Sequence, residues 1–259
     1  CDLRSGNDLE DQEGNKIGTI FDIDINKGIV QIKKGPTKID IPHPVSVISL
    51  ESISSTSKEE AIIKFAEWVV AHGIDNDDEK YRAARQMLLN AQPRLIQELT
   101  YHEDPTERSF DFASKLDHSY LPIQGPPGAG KSFTGSQLII RLVRQGKKIG
   151  ITALSHKVIT NLLFKVHEKA KEAKFDIHMI QKIDSNSASD VPWTVSNDEK
   201  KIQSALSTMN VIAGTSFMWS KEPYENSVDY LFVDEAGQLS LIDTLAVAHT
   251  CSNLVLLGD

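Results

Sequence analysis

Cysteine is scarce in this sequence of 259 residues. The two present, Cys1 and Cys251, make neither a disulfide framework nor a metal-ligand spacing. A reducing cytoplasm is the simplest compartment for such a chain. Long apolar runs are missing as well. A stretch such as Leu254 to Leu257 falls far short of a bilayer span, so no membrane partner is expected. The opening Cys-Asp-Leu-Arg-Ser-Gly has no apolar core and no cleavage pattern, which argues against a signal peptide. It also has no initiating Met, so the chain reads as a fragment. Net positive charge is absent too: 28 Lys and Arg face 36 Asp and Glu, for a formal charge of −8. That argues against a nucleic-acid binder working by bulk attraction. A local basic groove remains open, because affinity depends on the few cations that meet phosphates.

What is present falls into three stretches. Residues 1–56 read as a β-rich accessory segment. Lys16 to Asp24 and Gly28 to Lys33 are Ile- and Val-rich runs around a turn at Asn26-Lys27-Gly28. Residues 39–50 add one or two further strands, kept at an edge by Pro42 and Pro44. Residues 57–119 read as a helical stalk and linker. Ser57 with Glu60 three residues on makes a capping box, and Ile62, Phe65, Ala66, Val69 and Val70 follow at helical spacing up to Gly73. A second helix is expected over about Asp77 to Asn90, and a short one near Phe110 to Leu116. From Tyr120 to Asp259 short apolar strands alternate with amphipathic helices. This predicts an α/β domain, a parallel sheet with helices on both faces. The stretch 185–198, rich in Ser, Asn and Asp, is the most loop-like part.

Residues 125–132 read Gly-Pro-Pro-Gly-Ala-Gly-Lys-Ser, between an expected strand and an expected helix. This is the phosphate-loop pattern in its required context. Gly125, Gly128 and Gly130 let the backbone turn and aim N–H groups at phosphate oxygens, with Pro126, Pro127 and Ala129 filling the loop. The following helix, from Lys131 through Phe133, adds its positive end. Lys131 brings a full charge to the β- and γ-phosphates, and the Ser132 hydroxyl reaches a magnesium ion. ATP and Mg2+ are the expected cofactors.

A second acidic site fits the first. The apolar run from Val228 ends in Asp234-Glu235, at the carboxyl edge where an open parallel sheet holds ligands. Asp234 would hold magnesium opposite Ser132, while Glu235 would orient and deprotonate the attacking water. Lys131, Asp234 and Glu235 form the candidate catalytic set. Gln238 either senses the γ-phosphate or caps the next helix.

The words around these sites resemble superfamily 1 helicases. Ile-Gln-Gly-Pro-Pro-Gly-Ala-Gly-Lys-Ser (123–132) is similar to motif I, Ile-Thr-Ala-Leu-Ser-His-Lys-Val-Ile-Thr-Asn-Leu-Leu (151–163) to motif Ia, and Asn-Val-Ile-Ala-Gly-Thr (210–215) to motif Ic. Val-Asp-Glu-Ala-Gly-Gln (233–238) is similar to motif II and Leu-Val-Leu-Leu-Gly-Asp (254–259) to the start of motif III. The likeness points to the first RecA-like motor domain, in the branch with the nonsense-mediated-decay helicase and the replication nuclease-helicases. Within that branch it points to bacterial proteins with a RecB-like nuclease ahead of the helicase. The resemblance implies that Ser155, His156, Lys157 and Thr215 contact a single nucleic-acid strand, DNA in preference to RNA. It also implies that residues 14–49 are a small barrel and the helices after it a stalk.

Three departures stand out. No glutamine lies between Glu98 and Ile123, where the family places its adenine reader. The sequence stops at Asp259, before the rest of motif III and the second RecA-like domain with its arginines, so slow hydrolysis without unwinding is expected of this chain. Asp24, Gln31 and Lys33 loosely echo a nuclease core but lack its middle carboxylate. Two other classes remain open: a P-loop kinase or regulatory ATPase without nucleic acid, and a binding module that holds nucleotide structurally.

Overall fold

The computed structural model describes residues 3, 5–49, 54–183 and 190–259. Cys1, residue 50 and the first part of the loop-like stretch, 185–189, lie outside them. The chain forms two compact units, Cys1–Ser54 and Ser55–Asp259.

The first unit is a four-stranded antiparallel sheet. Its strands are β1 (Asp8–Glu10), β2 (Lys16–Asp24), β3 (Ile29–Lys33) and β4 (Ile48–Ser49), in the order β3-β2-β1-β4. Leu9, Ile17 and Ile20 are all nearly inaccessible. The register shifts between Leu9 and Glu10, which pair with Gly18 and Lys16, a bulge that breaks strict alternation in β2. The turn between β1 and β2 is tied by Asp11, whose Oδ1 accepts the Glu13 and Asn15 amides at 3.0 and 2.7 Å. The β-strand expected over 39–50 shrinks to two residues. Pro42 and Pro44 offer no amide to a ladder, and only Ile48 and Ser49 pair, with Glu10 and Leu9. Asp24 is engaged by Lys27 at 3.1 Å, so the loose nuclease echo has no free carboxylate there.

The second unit opens with α1 (Thr56–His72), α2 (Arg82–Leu88) and α3 (Pro105–Ser114). The cap of α1 sits two residues earlier than the pattern suggested, at Ser55. Ser57 spends its hydroxyl on Ser220 Oγ at 2.9 Å instead. Phe65 of α1 joins Ala84 and Ala248 in a small cluster, so these helices pack within the same unit as the large sheet. α2 is shorter than the span of about Asp77 to Asn90 expected for it, because Arg85 claims the preceding chain. The buried Arg85 guanidinium donates to the carbonyls of Ile74, Asn76, Asp78 and Lys80 and lies over the Trp68 ring at 4.7 Å. Carbonyls aimed at one guanidinium cannot feed a helical ladder. α3 starts at a strong cap: Asp104 accepts from Thr106 and Glu107 amides at 2.7 and 2.9 Å, with Pro105 in the first helical position.

A seven-stranded parallel sheet follows, in the order β5-β11-β10-β6-β9-β7-β8. In chain order the elements are β5 (Tyr120–Gln124), α4 (Lys131–Arg144), β6 (Ile149–Thr152), α5 (His156–Glu172), β7 (Met179–Lys182), β8 (Thr194–Ser196) and α6 (Glu199–Ala205). Then come β9 (Val211–Ala213), α7 (Ser216–Trp219), β10 (Val228–Asp234), α8 (Leu241–Val247) and β11 (Cys251–Gly258). Residues alternate between two cores. Tyr230 and Phe232 pack with α4 and α5, while Leu231 and Val233 pack with Trp219, Val247 and Leu254. Both faces are covered, which is why β10 reads as a continuous apolar run. α4 lies close on β11: a Cβ added at Gly135 would sit 2.5 Å from Leu257 Cδ1. Among the described residues no helix is long and apolar enough to cross a membrane. Burial pushes the Cys251 thiol up to about 12, which keeps it inert.

Candidate nucleotide and strand site

The parallel register brings the carboxyl ends of β5, β11, β10, β6 and β9 to one edge of the sheet. The phosphate loop follows the first of these. Residues 126–130 are exposed, and Gly128 and Gly130 hold φ of +83° and +85°. Side-chain-bearing residues rarely take that conformation, so the two glycines are what let the loop arch outward. Its start is pinned to the neighbouring strand, the Gly125 amide donating to the Gly258 carbonyl at 3.2 Å. Phe133 is 45% exposed on the first turn of α4, with Lys169 Nζ 4.5 Å from its ring centroid.

Lys131 folds back over its own loop. Its Nζ donates to the carbonyls of Gly125 and Pro126, the latter at 3.1 Å, and to Asp259 Oδ1. An ammonium so placed is already surrounded by oxygen, and a phosphate entering the loop competes with Asp259 for it. Sequence reasoning did not single out Asp259 as this partner.

Ser132, on the next position, points its hydroxyl to Asp234 Oδ1 at 3.5 Å. Ser132 is the second residue of α4 and Asp234 ends β10, so two oxygens from positions 102 apart in the chain meet. Asp234 is 4% exposed. Burial raises its carboxyl above the usual range, against the opposing pull of the Glu235 amide at 3.2 Å and of Ser132. A buried carboxylate and a hydroxyl are hard oxygen donors of the kind magnesium takes, and a cation there would relieve the charge that burial disfavours. The residues therefore fit the metal. Glu235 is half-buried and holds a left-handed backbone, φ +51°. A non-glycine residue in that region is uncommon, and such positions gather at functional sites. Gln238 is exposed and does not cap the next helix; Ser240 does, accepting the Asp243 amide at 3.0 Å.

The strand-contact candidates lie on the same edge, after β6 and β9, one and two strands beyond β10. β6 and β9 are in parallel register, Ile151 with Ala213, and the Gly214 amide donates to the Ile151 carbonyl at 3.0 Å. The loops carrying Ser155 and Thr215 are thereby adjacent. Ser155 caps α5, its Oγ accepting the Val158 amide at 3.3 Å. Ser155 and Lys157 are exposed and His156 is half-buried. Thr215 occupies the cap position of α7 without a side-chain bond to that helix.

No family model matches the chain. The DNA replication ATP-dependent helicase/nuclease DNA2 of Saccharomyces cerevisiae is 26% identical to it over 144 residues, 54% of this chain and 9% of that protein. The chain thus spans a small part of the relative. Solved structures with partial likeness include the UvsW helicase of bacteriophage T4, at 17% identity and a TM-score of 0.42 over 66% of this chain and 57% of that one. An Arterivirus nonstructural protein 10 helicase with DNA gives 17% identity and a TM-score of 0.37, over 54% of this chain and 28% of that one. The seven-stranded parallel sheet with helices on both faces defines an α/β domain. The resemblance of its motif words to superfamily 1 helicases is borne out by the yeast match.

Proposed function

We propose that this chain is the first motor domain of a superfamily 1 helicase, binding ATP with magnesium and gripping a single nucleic-acid strand, DNA in preference to RNA. In the whole protein a second RecA-like domain would complete the cleft and couple hydrolysis to translocation and unwinding. The observation that carries this reading is the meeting of Ser132 Oγ and Asp234 Oδ1 beside Lys131 at one sheet edge.

The residues divide the work. Backbone amides of residues 128–131 bind phosphate oxygens, and Lys131 leaves Asp259 to neutralise their charge. Ser132 and Asp234 hold the magnesium ion, which when bound draws negative charge from the phosphate oxygens. Glu235, the neighbour of the buried Asp234, accepts the proton of the attacking water at its carboxylate. Ser155, His156, Lys157 and Thr215, which follow β6 and β9, one and two β-strands from β10, hold the nucleic-acid strand.

Equilibrium binding of a fluorescent ATP analogue with magnesium tests the reading. The chain should bind it, and Lys131→Ala should weaken binding by about 1.5–3 kcal/mol, roughly 10- to 150-fold. Absence of binding by the unmodified chain, or an unchanged Lys131→Ala variant, would contradict the proposal.

A further inference from the structure

β7 carries one buried polar side chain that the site described so far does not use. Gln181 is 1% exposed and follows the buried Met179 and Ile180. Its Nε2 donates to Thr160 Oγ1 at 2.9 Å and to the His156 carbonyl at 3.4 Å. Thr160 Oγ1 itself donates to that carbonyl at 2.8 Å. On the other side the Trp193 indole N–H donates to Gln181 Oε1 at 3.1 Å. The Gln181 backbone is in register with Ala213, the last residue of β9, two positions before Thr215.

Burying a primary amide costs free energy unless its donors and acceptor are met, and here both ends are met. An aliphatic side chain would carry no such demand. What the amide adds is a fixed point for the first turn of α5. The His156 carbonyl lies between Ser155 and Lys157, and Gln181 and Thr160 converge on it. Trp193 closes the other side of the amide and stacks edge-on against Phe164 of α5, with centroids 4.8 Å apart. Such a chain of bonds has few alternative arrangements, because any rotation of the amide leaves a buried group unmet.

Resting on the helicase reading above, we propose that Gln181 is a positioning residue for the nucleic-acid strand. Through Thr160 and the His156 carbonyl it sets the first turn of α5, so that Ser155 and Lys157 stand in register with Thr215 along a phosphate backbone. Gln181 touches no strand itself.

The test measures binding of the full chain to a fluorescent oligothymidylate as a function of salt, and to a fluorescent ATP analogue with magnesium. Gln181→Leu should weaken oligonucleotide affinity about five- to tenfold and make the salt dependence shallower by about 0.7 for each phosphate the protein no longer neutralises. Nucleotide affinity should stay within about twofold. Thr160→Val, which leaves the Gln181–Trp193 bond in place, should shift the same two strand readouts in the same direction. It decides the matter if Gln181→Leu does not fold. Unchanged oligonucleotide affinity and salt slope in the folded variants would overturn the inference. So would a parallel fall in nucleotide affinity, which marks a general loss of structure. An unmodified chain with no affinity for the oligonucleotide would instead overturn the helicase reading itself, and the inference with it.

Discussion

The two halves of the carboxyl edge are held in different ways. On the proposed nucleotide side, around β5, β11 and β10, the backbone does most of the holding. The phosphate loop is shaped by glycines at positive φ, pinned by a main-chain bond from Gly125 to Gly258, and backed by α4, which lies so close to β11 that a Cβ at Gly135 would meet Leu257 Cδ1. On the strand side, around β6, β9 and β7, side chains hold the parts. Gln181, Thr160 and Trp193 fix α5, and Glu199 gathers Lys182, Lys221 and Tyr224 beneath the neighbouring strands. A site that must recur in one shape for phosphates can be built from main chain. A site that grips and releases a strand can be tuned through side chains whose bonds are individually modest.

Substitution should break the two sides differently. The largest effect on stability is expected at Gly135→Ala. The new Cβ would lie 2.5 Å from Leu257 Cδ1, and overpacking of this kind costs about 1–3 kcal/mol. Thermal melts should show the drop, and nucleotide affinity should fall with it because α4 carries Lys131 and Ser132. An unchanged melt would mean that α4 does not depend on this close approach.

A smaller, pH-dependent effect belongs to the strand side. Burial alone would raise the Glu199 carboxyl, but hydrogen bonds from Lys182, Lys221 and Tyr224 overcome it and hold the group at about 2, against 4.5 when unperturbed. A depressed carboxyl stabilises the fold above its unfolded value and loses that contribution as pH falls from 4.5 toward about 2. Glu199→Gln should therefore cost about 1 kcal/mol at neutral pH, after allowance for its partial exposure to screening solvent. The difference from the unmodified chain should vanish in melts taken near the lower end of that range. A gap that persists at low pH would show that packing rather than charge holds the cluster.

The same division explains what could be read from the residues alone. Gly125 to Ser132 and Asp234-Glu235 are legible because their chemistry lies in contiguous words, and the strands that carry them are apolar enough to stand out. β2 and β10 are legible for the same reason. β8, three residues long, forms by pairing with β7, and α7, four residues long, is held by burial of its own Met218 and Trp219; no periodicity survives in so few residues. The shortening of α2 was hidden because Arg85 reaches carbonyls up to eleven residues back. Gln181 carried a faint local signal, a polar residue in an apolar strand, but its partners His156, Thr160 and Trp193 come from other segments. The Lys131–Asp259 pair joins residues 128 apart and had no signal at all.

In the proposed function Ser132 and Asp234 share one cation at the end of the phosphate loop. A double-mutant cycle on magnesium-dependent nucleotide affinity, using Ser132→Ala, Asp234→Asn and the pair together, tests it directly. The expected result is strong non-additivity, with a coupling of about 0.5–3 kcal/mol and a double variant little worse than the weaker single one. Losses that simply add would contradict it.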